Sequence, residues 1–353
     1  MGLTRILLLA DTHLGFDLPS RPRVERRRRG HDFFASFRRA LAPALAGEAD
    51  VVVHGGDLFF SSRVSAGLAD DAFSELRRVA DAGVPVLIVP GNHERSRIPR
   101  PLLAVHRRIH VFAEPRTVVI DSGGLCVAFA GFPYCRDGVR RQFPALLERT
   151  GYRSVRADVR LICMHHCFEG ATCGNGSGRD HTFRFEDDAV RAADLPGDVA
   201  AVLTGHIHRH QVLTRDLSGR RLSAPVLYPG STERTSFAER DEVKGVLLVE
   251  LSSSGVERWR FQHLAARPMI AVDLSGPFAG PEALDRFVED AIGASPPDAI
   301  LRFRVTAPLP PRAAEILSAA RLRSIAPATM NIDVRVAVGA LAPAAPGGYD
   351  PRG

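Results

Sequence analysis

The sequence predicts an α/β protein, a layered β-sandwich domain flanked by helices and followed by a small C-terminal α/β unit. Three observations carry that expectation. Short apolar runs rich in branched residues (Ile6 to Ala10, Val51 to Val53, Val86 to Val89, Leu161 to Met164, Val199 to Leu203) read as buried strands, and each ends in a polar cluster. Helical spacings fill the gaps between the early runs. After Met164 the apolar runs are separated by turns, which points to stacked sheets rather than one wound sheet.

Ile6 to Ala10 forms the first strand and stops at Asp11 without a small-residue cleavage site, so no signal peptide is expected. Met1-Gly2 opens like a myristoylation signal, but Ile6 stands where Ser or Thr is required. Phe33, Phe34, Phe37 and Leu41 mark a helix that Pro43 is expected to interrupt. Phe73, Leu76 and Val79 mark a second, with Gly83 past its end as a C-cap. Val226 to Tyr228 and Gly245 to Leu251 add strands, and the domain is expected to close near His263, giving a boundary of 1–265. The pattern restarts with a strand at Met269 to Leu274, a helix carrying Leu284, Phe287 and Ile292, and strands at Ile300 to Val305 and Ile332 to Val338, a second domain over 266–339. Residues 340–353, mostly Ala, Pro and Gly, cannot bury enough surface to order themselves and are expected to be disordered.

The 353 residues are 45% hydrophobic and 24% charged, and no apolar run approaches the roughly 20 residues that span a bilayer, so a membrane is excluded and a cytoplasmic location expected. Five cysteines without a CxxC pair argue against a disulfide framework. Cys163, Cys167 and Cys173 are expected to be small buried hydrophobes rather than an extra metal site. A net charge of +6 permits an anionic partner. Lys244 is the sole lysine, however, and an arginine bias records genome composition as readily as a binding surface.

The strand ends carry the chemistry: Asp11-Thr12-His13, Gly56-Asp57, Gly91-Asn92-His93-Glu94, His165-His166 and Gly205-His206-Ile207-His208. One such cluster is usually a solvated strand end, whereas five in series is a ligand set. Carboxylate, carboxamide and imidazole suit manganese, iron or zinc. Asp11 and His13 would point the same way from an extended segment, and His206 and His208 repeat the device, with Gly205 letting the backbone approach and turn. Asp57 has two oxygens and can bridge two ions. Two divalent ions roughly 3.5 to 4 Å apart can clamp the attacking and leaving oxygens of a displacement at phosphorus, and a water between them deprotonates readily enough to attack. Hydrolysis of a phosphate ester is the expected reaction.

The series resembles the calcineurin-like metallophosphoesterases, and within them the bacterial SbcD-type DNA repair nucleases. The motifs carrying the resemblance are DTHLG at Asp11, GGDLF at Gly55, GNHE at Gly91, MHH at Met164, GHIHRH at Gly205, YPGS at Tyr228 and SFAERDEVKG at the close of the domain, covering residues 4 to about 251. The resemblance implies that Asp11, His13, Asp57 and His208 hold one ion and Asp57, Asn92, His165 and His206 the other, with Mn2+ the expected identity and Fe or Zn as alternatives. His93 would protonate the leaving oxygen or stabilise its charge, with Glu94 holding it. His165 is preferred over His166 because the resemblance places the ligand directly at the strand end, and His166 becomes a supporting or substrate-facing group. His54 is expected to be a packed strand histidine, and His210 is left open.

The family often has a second active-site histidine three residues after the bridging Asp, where this sequence has Phe60. Phe60 cannot donate to a phosphate oxygen; it either stacks on a nucleobase or packs in the core. The insertion carrying Arg21, Arg23 and Arg26 is a phosphate clamp or a solvated charge run, and Gly170 to His181 a substrate-shaping loop or a connection. The resemblance also implies DNA as substrate, a cap that contacts it, homodimerisation and an SbcC-type ATPase docked by helices after the cap. No such helices follow in this sequence, so docking by that route is not expected. The alternatives are a phosphodiesterase or phosphatase for small substrates, or a non-catalytic scaffold of the same fold.

Overall fold

A computed structural model describes residues 2–17, 29–174 and 180–336. Arg21, Arg23 and Arg26 and the expected disordered tail 340–353 lie outside the described residues, as does part of the loop from Gly170 to His181. The chain divides into two compact units, the larger running to Ala266 and the smaller starting at Arg267.

The larger unit begins β1 (Thr4–Leu9), α1 (Arg29–Leu45), β2 (Val51–His54), α2 (Ala66–Asp81), β3 (Val86–Ile88) and β4 (Ile109–Val111). It continues with β5 (Arg116–Ser122), β6 (Leu125–Gly131), α3 (Val139–Arg149) and β7 (Val159–Met164). Four short strands follow, β8 (Cys167–Phe168), β9 (Thr172–Gly174), β10 (Asp180–Thr182) and β11 (Ala189–Val190). It ends with β12 (Ala201–Thr204), β13 (Gln211–Arg215), β14 (Arg221–Tyr228), β15 (Gly245–Ser252) and β16 (Gly255–His263).

Two six-stranded sheets result, ordered β16-β15-β1-β2-β3-β4 and β13-β14-β12-β7-β6-β5. In the first, β1 to β4 run parallel and β15 pairs antiparallel with β1. In the second, β6, β7, β12 and β14 run parallel, with antiparallel strands at both edges. Ile6, Leu8, Val51 and Val53 pack with Phe129, Leu161, Cys163 and Leu203 between the sheets. The alternate residues Leu7, Leu9 and Val52 pack with Phe37, Leu41, Phe73, Leu76 and Val79 of α1 and α2. Ile162, Met164 and Val202 do the same with Val139, Phe143 and Leu147 of α3. Strands covered on both faces must be apolar at every position, which is why they read as continuous runs. Each such side chain contributes about 1.5–3 kcal/mol on burial.

Pro43 does not interrupt α1, which continues to Leu45. It sits in the last turn, where its missing N–H costs one hydrogen bond near an end whose carbonyls are already losing partners, while Leu41 and Ala44 stay buried. Gly83 does follow α2 with φ +99°, one residue past the cap at Ala82.

The smaller unit contains β17 (Met269–Leu274), α4 (Pro281–Gly293), β18 (Ile300–Val305), α5 (Ala313–Ile316), α6 (Ala319–Ile325) and β19 (Asn331–Val336). Its sheet is parallel, ordered β17-β18-β19. Leu301 and Phe303 pack with Leu284, Val288 and Ile292. Phe287, expected on the buried face of α4, is 38% exposed and Val288 takes that place, a one-residue rotation of the stripe. Between the inward residues of β18, Arg302 and Arg304 pair across the strands with Asp333 and Asp273. No described helix is long and apolar enough to cross a membrane.

Candidate metal centre

The parallel strands of both sheets end at one place. From β1 come Asp11 and His13, from β2 Asp57, from β3 Asn92 and His93, from β7 His165, and from β12 His206 and His208. His165 Nε2 lies 3.0 Å from Asn92 Oδ1 and 3.3 Å from Asp57 Oδ2. His206 Nδ1 lies 3.0 Å from the same Asn92 oxygen. His13 Nε2 and His208 Nε2 are 3.0 Å apart, and Asp11 Oδ1 is 4.0 Å from both His165 Nε2 and His208 Nε2. All seven residues expected as ligands therefore meet.

The convergence does not come from strand alternation as expected. Asp11, His13, Asp57 and His206 have φ of 52°, 45°, 53° and 79°, so each stands in a left-handed turn rather than an extended segment. Such backbone is costly for residues with a Cβ, and here neighbouring loops hold it: Asp11 and His13 N–H groups donate to the Gly56 and Asp57 carbonyls at 2.9 and 3.0 Å. Gly205 does provide the close approach, since a Cβ there would sit 2.6 Å from the Gly55 oxygen, but the turn itself falls on His206.

The donors fit cations. His165 Nδ1–H donates to the Gly55 carbonyl at 2.7 Å, so the Nε2 lone pair of the neutral ring would face the oxygens of Asn92 and Asp57. Two acceptors and a lone pair within hydrogen-bond distance repel unless a positive charge lies among them. Burial opposes an imidazolium at His165, but the charges of Asp57 and Asp11 outweigh it and lift its pKa to about 9. The proton thus takes the place that a cation would occupy. Burial likewise opposes ionisation of Asp57, yet His165 and His13 pull its carboxyl below the ordinary range. Burial pushes His13 well down and His206 down to about 3, which keeps both neutral and able to ligate.

Asp11, His13 and His165 are fully buried, while Asn92, His93, His206 and His208 are half-buried and line the open side. His93 Nδ1–H donates to the Phe60 carbonyl at 2.9 Å, leaving Nε2 4.0 Å from Asp57 Oδ2. Glu94 does not hold His93 as expected. Its two oxygens accept from the Phe59 and Gly91 N–H groups, both at 2.9 Å, and burial followed by the Asp57 charge raises its pKa to about 8. It staples two ligand loops together. Phe59 is fully buried, whereas Phe60 is 37% exposed, with its ring 5.2 Å from that of His93 and 5.9 Å from that of His13.

His166 is not presented to a substrate: it is completely buried, stacks on Tyr134 and accepts from the Cys135 N–H at 3.0 Å. His165 faces the centre and the residue after it turns the other way, its ring packed against Tyr134 and Phe132. His54 is a packed histidine, with Nε2–H donating to Thr12 Oγ1 and Nδ1 accepting from the Gly56 N–H. His210 donates to the Tyr228 carbonyl and stacks on Phe261. Cys163 and Cys167 are buried and Cys173 partly so. The Cys167 sulfur lies within 4.8 Å of ligand atoms of Asp188 and His206, but burial pushes its thiol far up and away from the thiolate that binds metals. Sequence reasoning assigned no role to Tyr134, whose ring is 5.7 Å from that of His206, or to Glu239, which accepts from His208 Nδ1–H at 3.1 Å. Glu239 was visible only as part of the SFAERDEVKG motif.

A family model described as calcineurin-like phosphoesterase matches residues 4–210. The DNA double-strand break repair protein Mre11 of Haloferax volcanii is 33% identical over 291 residues, covering 80% of this chain and 57% of that protein. The protein of the same name from Halobacterium salinarum is 31% identical, covering 71% of this chain and 57% of its own. A subunit of the nuclease SbcCD from Bacillus subtilis is 26% identical over 288 residues, covering 72% of this chain and 68% of that protein. The chain spans little more than half the length of the first two relatives.

Proposed function

We propose, from the premise that this chain belongs to the calcineurin-like phosphoesterase family, that it is a two-metal phosphodiester hydrolase acting on DNA as a repair-type nuclease. The observation that carries this reading is the meeting of seven metal-type donors from two sheets around Asp57. Asp11, His13, Asp57 and His208 would hold one ion, and Asp57, Asn92, His165 and His206 the other. The donors are oxygen and imidazole without thiolate, which favours Mn2+ over softer ions. When bound, the ions supply charge at phosphorus and a nucleophile near neutral pH. The seven donors include two carboxylates, so two divalent ions leave the centre cationic and attractive to a phosphodiester.

His93 is the residue proposed to act on the leaving oxygen. The Phe60 carbonyl fixes its ring through Nδ1–H, so a proton on Nε2 is carried at the open side of the site beside Asp57. The exposed Phe60 ring is the flat surface on which a nucleobase would stack. DNA is favoured over a small ester by the names of the relatives. The smaller unit is assigned to substrate contact. A partner belongs to the same proposal, because the Bacillus subtilis relative is named as one subunit of a nuclease.

The test is turnover of end-labelled linear DNA, cyclic nucleotides and a chromogenic phosphodiester across Mn2+, Fe2+, Zn2+ and Mg2+. Mn2+-dependent DNA cleavage, lost in Asp57→Ala together with bound metal, is the expected result. Hydrolysis of the small esters with intact DNA under every metal would remove the nuclease half of the proposal.

A further inference from the structure

Lys244, the only lysine in the sequence, has a side chain with no solvent exposure. Burying an ammonium costs several kcal/mol unless it is paired and hydrogen-bonded. Here its Nζ donates to Glu239 Oε2 at 2.6 Å, to the His208 carbonyl at 3.0 Å and to Glu242 Oε2 at 3.2 Å, which uses all three donors. The other Glu239 oxygen accepts from His208 Nδ1–H at 3.1 Å and from the Thr235 hydroxyl at 2.5 Å. Residue 208 is thus held twice by one ion pair, at its ring through Glu239 and at its main chain through Lys244.

Two other imidazoles of the centre are held differently. His165 is oriented by the main-chain carbonyl of Gly55, and His13 Nδ1 has no partner among the described residues. His208 alone among these three has a carboxylate behind it. An acceptor at Nδ1 fixes the tautomer that leaves the Nε2 lone pair free, and that nitrogen points at His13 Nε2, 3.0 Å away, and Asp11 Oδ1, 4.0 Å away.

We propose that Glu239 and Lys244 form a positioning pair that aims His208 at one of the two ions and selectively sets the affinity for that ion. The inference rests on the two-ion reading above. Glu239 fixes the ring and strengthens its basicity, while Lys244 fixes the rotamer of Glu239 and the backbone that carries the ring. The ion on Asn92, His165 and His206 is served by a backbone carbonyl and does not depend on the pair.

The experiment is equilibrium Mn2+ binding by the full chain, with bound metal counted by elemental analysis across free Mn2+ concentrations and metal-free melting temperature measured in parallel. Loss of a supporting carboxylate should weaken one ion by about 10- to 100-fold in Glu239→Ala, leave the other unchanged, and have a smaller effect in Glu239→Gln, whose amide oxygen still accepts from Nδ1–H. Glu239→Ala takes the nearer of two carboxylates from a buried cation, leaving it Glu242 and the His208 carbonyl, so Glu239→Ala combined with Lys244→Met keeps the test open if the single variant does not fold. Equal weakening of both ions overturns the proposal. So does normal binding of both by a variant that only melts earlier, since that assigns the pair to the fold alone. Wild-type protein that binds no Mn2+ would instead remove the two-ion reading on which the inference stands.

Discussion

Gly91 shows how little room Asp57 has. A Cβ at this position would overlap both the Asp57 carboxylate and its main chain, and the backbone there cannot yield as the tip of a flexible side chain does. Asp57 is also fixed by the His93 N–H, which donates to Oδ1 at 3.0 Å. Gly91→Ala is therefore expected to move the carboxylate proposed to be shared by both ions, so metal analysis should find both lost rather than one, with catalytic turnover falling by about 10- to 100-fold. Retention of two ions per chain would contradict this role for the glycine. The residue identities of the ligand loops were legible because metal chemistry admits few side chains. Their left-handed backbone was not, since an Asp or His in that conformation carries no mark that a glycine would.

Between elements, β1 is tied to the turn before β2 by one ion pair. Asp50 Oδ2 accepts from the Arg5 N–H and Nε–H at 2.8 and 3.0 Å, and Oδ1 from Nη2 at 2.6 Å. Burial alone would raise the Asp50 pKa, but the Arg5 contacts prevail and hold it below its usual value. A depressed carboxylate contributes stability that is fully present above its unfolded pKa, near 4, and is lost as pH falls through the lower folded value. Urea unfolding at a series of pH values should accordingly show a shallower loss of stability below pH 4 in Asp50→Asn than in wild type, with the variant already weaker at pH 7. Identical acid limbs would mean that the pair does not hold β1. The strands around this pair were visible as apolar runs, whereas β5, β13 and β16, edge strands with solvated faces, carry mixed patterns and were missed, as was the buried β6, whose Ala and Gly positions dilute its apolar run. Pro43 misled because its effect depends on the distance to the helix end, which composition does not reveal.

Across the larger unit, the proposed ligands hang on loops after five strands in two sheets, so binding an ion there would join the sheets through their carboxyl ends. Buried, mutually repelling lone pairs and carboxylates make that region costly without cations. Mn2+ at 100 times its dissociation constant should stabilise the folded chain by about 2.7 kcal/mol per independent site, raising the melting temperature, and a chelator should reverse the shift. Asp57→Ala should melt at the same temperature with and without the metal. A wild-type melting curve indifferent to Mn2+ would count against a resident pair of ions.

Burial on both faces and metal ligation each restrict which residues a position can hold, so the buried strands that end at Asp11, Asp57, Asn92, His165 and His206, and the candidacy of the seven metal-type donors, were already written in the order of residues. The packed chain alone settled that His166 faces the core, that Glu94 staples two loops rather than holding His93, and that a distant Glu239 stands behind His208. Those roles are set by which loops meet in space, and a hydrogen bond between positions 208 and 239 leaves no periodicity along the chain.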